Sequence, residues 1–264
     1  MHEDIVLSEV KEIRRQMPRI GTRKLHYMLA DRLQKHQISI GRNKLFDLLE
    51  DNGMLVRNRK RKSIRTTDSN HSFKKHPNLI SELEIIRPNQ VWVSDITYIS
   101  LGDKFCYLNL ITDAYSRKIV GYCLHPTLQV EGSLKALRMA IDALGGRPEK
   151  QLIHHSDRGG QYCCGEYIAL LGSYFIAISM TEKGSPYENA IAERVNGILK
   201  NEFNLNWNTN DFKQAEKEVI RAIGIYNNDR IHMSCNMLTP QKAHQMEGSL
   251  PSKWKRKKEV AMVT

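Results

Sequence analysis

Three acidic residues stand where a carboxylate could do chemistry. Asp95 lies inside a β-rich run, Gln90–Ser100 (QVWVSDITYIS), where a period of two places Val91, Val93 and Asp95 on one face. An uncompensated carboxylate there is costly and calls for a cation or several hydrogen bonds. Asp157 follows a second short strand-like run, Gln151–His155, and precedes Arg158-Gly159-Gly160. Strand ends in α/β sheets are where ligands collect. Glu193 belongs to a helical stretch, 187–204, in which Asn189, Glu193, Asn196 and Lys200 share one face and Ile191, Val195 and Ile198 the other. Taken singly, each aspartate reads equally well as a turn cap or half of an ion pair, and the helix face as solvated. Together, carboxylates from two strand ends and one helix could hold two divalent cations. Mg²⁺ suits hard oxygen donors, and Mn²⁺ can substitute. Two such ions, about 3.5–4 Å apart, assist in-line displacement at phosphorus, one activating water or a 3′-hydroxyl and the other stabilising the departing oxygen. Two amides and an ammonium beside Glu193 suit a phosphate ester lying alongside.

The surrounding pattern supplies elements to position these groups. Gln90–Ser100, Phe105–Thr112 and Lys118–Leu124 read as three strands of an antiparallel meander, with the turn signal Asp113–Arg117 between the last two. Residues 129–144 carry an amphipathic stripe, Val130, Leu134, Leu137 and Ile141. Gln151–His155 and 175–180 read as strands, 164–172 and 187–204 as helices. Three strands, then helix, strand, helix, strand, helix describe a mixed α/β sheet covered by helices, the ribonuclease-H-like order. Asp113 reads as a turn residue. His154 and His155 read as structural or supporting groups, because two-metal chemistry requires no histidine base. Arg158 reads equally as a phosphate contact or a carboxylate partner.

Ahead of this region lie three short helical patterns. Residues 3–16 carry Ile5, Val6, Val10 and Ile13; a second stretch carries Leu25, Met28, Leu29 and Leu33; a third carries Leu45, Leu48 and Leu49 and stops at Gly53. The arrangement fits a helix-turn-helix, with Arg42, Asn43 and Lys44 opening the third helix, where bases would be met. A plain three-helix bundle fits the same pattern. Residues 57–76 are polar and basic and read as a linker; such a run is often merely solvated, a localisation signal fits as well, and Lys and Arg, with Arg59, Lys60, Arg61 and Lys62 among them, would displace counterions from phosphates. The expected organisation is a helix-turn-helix domain at 1–56, a basic linker at 57–86, a catalytic domain at 87–246 and a basic tail at 247–264.

Charge follows that division. Of the net +11 over 264 residues, residues 1–76 carry +9, residues 77–248 carry −2 and residues 249–264 carry +4. Basic flanks around a near-neutral middle suit a polyanion, most simply nucleic acid, and a charge that serves only solubility in disordered ends fits the same pattern. The five cysteines form no C-x-x-C pair, which argues against a disulfide framework or structural zinc and for free thiols in a reducing compartment. No eighteen-residue apolar run and no N-terminal signal core are present, so the expectation is a cytoplasmic, nucleoid-associated protein with no membrane partner.

Longer motifs carry a resemblance. Trp92-Val-Ser-Asp95-Ile-Thr-Tyr98, His155-Ser-Asp157-Arg-Gly-Gly-Gln-Tyr162, and Gly184-Ser-Pro186-Tyr-Glu188-Asn189-Ala190-Ile-Ala-Glu193 with Leu199-Lys200-Asn-Glu202 resemble the three acidic motifs of a known family. It is that of the second-reading-frame transposases of the IS-three group of bacterial insertion sequences, integrase-like DDE recombinases. Thirty-five residues separate Asp157 from Glu193, the spacing of that family. Tyr226-Asn227, Arg230, His232 and Thr239-Pro240 resemble its tail motif, and the N-terminal helices its helix-turn-helix. The resemblance covers roughly residues 10–243. Glu188, Val195 and Ile231 depart from the usual Asp, Phe and Pro. The zinc-binding His/Cys module of retroviral integrases is absent.

The resemblance implies a ribonuclease-H-like fold and catalytic, metal-binding roles for Asp95, Asp157 and Glu193. It implies DNA contacts for Lys200, Asn189 and Lys183, the last in a mobile loop, Lys183–Glu188. It further implies double-stranded DNA as partner, with strand cleavage at the element's terminal inverted repeats and transfer to target DNA, a homo-oligomer in the synaptic complex, and cooperation with an upstream-frame helix-turn-helix protein, separate or fused by frameshift. Two rivals share the features: a ribonuclease-H-type nuclease that only hydrolyses, and a DNA-binding regulator or decayed transposase competing for the same ends. The thirty-five-residue spacing with Lys200 disfavours the first, and the presence of all three carboxylates the second.

Overall fold

The computed structural model describes residues 2–56, 71–182, 189–205 and 211–250. Helices α1 (His2–Gln16), α2 (Thr22–Gln34) and α3 (Arg42–Asp51) form from the three N-terminal patterns and bury the expected stripes: Val6, Val10 and Ile13; Leu25, Leu29 and Leu33; Leu45, Leu48 and Leu49.

Strands β1 (Val91–Leu101), β2 (Lys104–Asp113) and β3 (Ile119–His125) make the antiparallel meander. Helix α4 (Val130–Leu144) crosses back and ends at Gly145, whose φ of +87° is a left-handed stop that favours glycine. Strand β4 (Ile153–Ser156) then pairs parallel to β1, and β5 (Ala177–Met180) parallel to β4, in the order β3-β2-β1-β4-β5. The helical stretch expected at 164–172 is α6 (Gly165–Ser173); a short helix the sequence reading lacks, α5 (Gly160–Cys163), precedes it, separated by the extended Cys164. Helix α7 (Ala190–Glu202) corresponds to the expected 187–204.

Helix α8 (Phe212–Asn228) has no counterpart in the motif reading, which assigns no element between residues 204 and 226. Its signals are ordinary ones. Asp211 caps the amides of Lys213 and Gln214, and Ala215, Val219, Ala222, Ile223 and Tyr226 repeat at helical spacing. The short helix α9 (Pro240–Ala243) starts from a Thr239 cap with Pro240 in its first turn.

The sheet is the middle of three layers. On one side Trp92 and Ile111 pack with Leu134, Leu137 and Ile141 of α4 and with Tyr167 and Leu171 of α6. Helix α4 lies so close to β3 that a Cβ on Gly121 would overlap the Ala136 carbonyl oxygen. On the other side the apolar cluster of α7 and α8, with Val195, Ile198, Leu199, Val219 and Ile223, continues without a break into the cores of α1, α2 and α3. The N-terminal helices are thereby docked on the catalytic layer.

The segment read as a linker, 57–86, is not uniform. Its second half lies on the sheet: Met180 N–H donates to the Pro77 carbonyl, Leu79 N–H to Ser179 Oγ, and Ile80, Leu83 and Ile85 pack on Val91 and Val93. The apolar residues of 79–86 make this part of the core domain. The basic residues 57–70, Arg59, Lys60, Arg61 and Lys62 among them, lie outside the described residues.

Candidate active site

The parallel pairing of β1 and β4 brings the aspartates together, with Asp95 inside β1 rather than at its end and Asp157 just past the end of β4. Val93 of β1 pairs with His155 of β4, and two residues further along each chain stand Asp95 and Asp157. Both line one cavity of about 310 Å³, with His71, Tyr98, Gln161 and Tyr162 among its other walls.

Asp95 is half-buried. Its Oδ1 accepts from the Ile96 amide at 2.9 Å and its Oδ2 from Asn196 Nδ2 at 2.7 Å. Burial pushes its pKa up to about 7; the neighbouring Asp157 charge adds to the shift, the two hydrogen bonds oppose it, and Glu193 contributes a smaller push upward. Asp157 Oδ1 accepts from the Gly159 amide at 3.0 Å, where the chain turns into α5. A Cβ on Gly159 would stand 3.1 Å from that oxygen and 3.2 Å from Gln161 Oε1.

Asn189, Asn196 and Lys200, on or beside the polar face of α7, turn to β1, while Glu193 meets water. Asn189 Nδ2 donates to the Ser94 carbonyl at 3.0 Å, Asn196 to Asp95, and Lys200 Nζ to Thr97 Oγ1 at 3.2 Å. Burial lowers the Lys200 pKa and Asp95 draws it back up. Glu193 is exposed. Among the described residues no group of three or more His, Cys, Asp or Glu side chains is placed to hold a metal ion. The structure brings Asp95 and Asp157 to one cavity, with Glu193 near enough for its charge to be felt at Asp95.

The other candidate residues are scattered. Arg42 and Lys44 are exposed at the start of α3, and the Arg42 guanidinium rests on Asn43 Oδ1. Asn189 is buried on Ser94. Lys183, with the rest of 183–188, lies outside the described residues. His154 is buried between Ser94 Oγ and the Tyr167 hydroxyl, at 2.6 and 2.9 Å, and burial lowers its pKa to about 3. His155 sits on Ser179 Oγ. Both are core groups that brace β4 against its neighbours. Asp113 accepts from the amides of Asn89 and Ser116 and from Ser116 Oγ, the pattern of a turn residue. Arg158 Nε donates to the Thr181 carbonyl.

Two contributors were not foreseen. Asn196 was placed on the right face but not on Asp95; its spacing from Glu193, three residues on one helix, is the signal. His71, inside the basic run, reaches the Arg158 carbonyl at 2.8 Å and walls the cavity, and the local sequence carries no sign of it.

Comparison with known proteins places this geometry. The integrase core domain model matches residues 86–186, and a second integrase core model matches residues 174–240. The 31 kDa protein of insertion element IS600 from Shigella sonnei is 37% identical over 232 residues, covering 86% of this chain and 83% of that one. The transposase InsF of insertion sequence IS3A from Escherichia coli is 32% identical over 160 residues. The chain belongs to the IS-three family of insertion-sequence transposases.

Within the family, the match to InsF covers 58% of this chain and 53% of InsF. A putative transposase of IS986/IS6110 from Mycobacterium tuberculosis is 33% identical over 159 residues, again about half of that relative, at 56%. The fold agrees with the retroviral integrases. A chain of the simian T-cell lymphotropic virus intasome superposes with a TM-score of 0.52 at 18% identity, covering 90% of this chain and 79% of that one. The catalytic layer is therefore ribonuclease-H-like, and the family's integrase core is of the kind used in DNA transposition and integration. Among the described residues no helix is long and apolar enough to cross a membrane.

Proposed function

We propose that this chain is a DDE transposase that binds the ends of its insertion sequence and catalyses metal-dependent strand cleavage and strand transfer. One observation carries the reading: Asp95 and Asp157 open onto one cavity from adjacent parallel strands, with Asp95 held by the helix that bears Glu193.

The donor set fits a divalent cation. Asp95, Asp157 and Glu193 offer only hard oxygens, and the burial and then the like charge that raise Asp95 are what a cation would offset. Mg²⁺ keeps several waters and takes further oxygens from substrate phosphate, so it would need few ligands from the chain itself. When bound, such ions lower the pKa of a water or 3′-hydroxyl and stabilise the departing oxygen, and Mn²⁺ substitutes for Mg²⁺.

The chain's own groups supply position. Asn196 and the Ile96 amide fix the two oxygens of Asp95, and the Gly159 amide orients Asp157. Lys200, anchored on Thr97 beside Asp95, places a cation where a phosphate backbone would pass. Arg42 and Lys44 on α3, the basic run Arg59–Lys62 and Lys183 extend the phosphate grip. Joining two ends requires synapsis, so a homo-oligomer acts, with the upstream-frame helix-turn-helix protein as a further partner. The site of action is the bacterial cytoplasm, at the nucleoid.

Oligonucleotides carrying element ends test this. With Mg²⁺, the wild type should nick one strand and yield joined product, and Asp157→Asn should do neither while binding DNA as the wild type does. Hydrolysis without joined product, or cleavage that survives Asp157→Asn, would overturn the reading.

A further inference from the structure

The C-terminal end of α7 holds a second charged cluster, away from the acidic cavity. Glu202 accepts a two-pronged contact from Arg230, Nε to Oε2 at 2.8 Å and Nη2 to Oε1 at 3.0 Å. Lys24 Nζ, from the first turn of α2, meets the same Oε1 at 2.7 Å. The three side chains are only 2%, 11% and 13% exposed for Arg230, Lys24 and Glu202. The Glu202 carbonyl also accepts from the Arg19 amide at 3.0 Å, and Arg221 of α8 reaches the Arg15 carbonyl at 3.4 Å. Polar contacts between α1–α2 and the catalytic layer thus centre on one residue of α7.

Burying three charges is a poor way to gain stability, because desolvation offsets most of their attraction and apolar side chains of similar size serve as well. What a bidentate fork adds is direction. The apolar cluster shared by α1–α3, α7 and α8 can slide and still stay buried; the Lys24–Glu202–Arg230 fork cannot. Helix α7 is a rod, and the same rod carries Asn196 on Asp95 and Lys200 on Thr97.

We infer that Lys24, Glu202 and Arg230 are positioning residues that fix the register between the DNA segment gripped by α1–α3 and the phosphate presented to Asp95 and Asp157. The inference rests on the transposase reading and deepens it. It makes the cutting position a property of the interface between the two domains, independent of base contacts at the cut itself.

The test uses the full chain and an end-labelled oligonucleotide carrying an element end, with the cut phosphate mapped on a sequencing gel. A triple apolar variant, Lys24→Met, Glu202→Leu and Arg230→Met, should melt near the wild type and still bind the end. It should cut the wild-type phosphate about 10- to 100-fold more slowly, with new cuts at neighbouring phosphates, because small misplacements cost rates of that order. Lys24→Met alone keeps the Glu202–Arg230 fork; should the triple variant not fold, the same spread of cuts is expected from it, at about a 10-fold loss. Lys24→Arg should restore the single cut. Variants that cut only the wild-type phosphate at the wild-type rate would overturn the register while leaving the transposase reading intact. A wild type that cuts no element end would overturn the transposase reading, and the register with it.

Discussion

The two ends of α7 treat carboxylates in opposite ways. Near its start, Asp95 and Asp157 face one another across a cavity with Glu193 close by, and burial with like charge pushes Asp95 up to about 7. At its end Glu202 is also buried, which would raise it, but Arg230 and Lys24 outweigh that and hold it at about 2. Lys24 is itself drawn down to about 8, by burial first and by Arg230 next, so one carboxylate serves two mutually repelling cations. One region sets two carboxylates close enough for one to raise the other; the other region ties α2 to the end of α7 through a carboxylate matched by two cations. The same residue type is pushed up where like charges gather, as at many functional sites, and pulled down where cations surround it.

The contrast can be broken at either end. The largest effect is expected at the acidic end: Asp157→Asn should cut strand cleavage about a thousandfold or more without weakening DNA binding, as removal of essential catalytic groups does. At the joint, Glu202→Gln should destabilise the fold by about 3–5 kcal/mol in chemical denaturation, because two buried cations lose their partner. The sign with pH follows from its depressed pKa. Glu202 contributes fully above 4.5 and loses that contribution as pH falls through about 2, so wild type and Glu202→Gln should converge in acid. Asn196→Ala sharpens the acidic end; losing the hydrogen bond to Asp95 should slow cleavage about 10-fold with binding unchanged. The smallest effect is expected from Tyr226→Phe, which removes a bond from the hydroxyl to the Arg117 carbonyl and should cost about 1 kcal/mol of stability with activity intact.

Much of the acidic end was legible in the sequence, because it follows from periods. Alternation placed Asp95 on its strand face, and a strand ending at a polar turn placed Asp157. The helical repeat gathered Asn189, Asn196 and Lys200 on one side. Periodicity could not tell whether that side met solvent or the sheet. It meets the sheet, through Ser94, Asp95 and Thr97. The joint is not legible: Glu202 and Arg230 stand in the motifs, but nothing in the sequence joins them to Lys24, far away in the chain, and each alone reads as an ordinary surface charge although all three are buried. The tail motif was noticed for its residues, but their roles appear only in three dimensions. Asn227 pairs both ways with Ile119 at the edge of β3, Tyr226 ties down Arg117, and Arg230 completes the fork. The second half of the supposed linker was misread because the basic run before it masked the apolar residues that bind it to the core.

The central claim is that the charge at Asp95 awaits a divalent cation. In the folded chain its carboxyl holds a proton up to about pH 7, against 3.8 when unperturbed, so its contribution to stability is complete below about pH 4 and is lost as pH rises through 7. Thermal unfolding of wild type and Asp95→Asn at pH 8, in chelator and then in Mg²⁺, reads this directly. In chelator Asp95→Asn should be the more stable, by about 1–3 kcal/mol after allowance for partial exposure. Mg²⁺ should raise the melting temperature of the wild type and leave that of Asp95→Asn unchanged. A wild type indifferent to Mg²⁺, or an Asp95→Asn protein that melts below the wild type in chelator, would contradict the account.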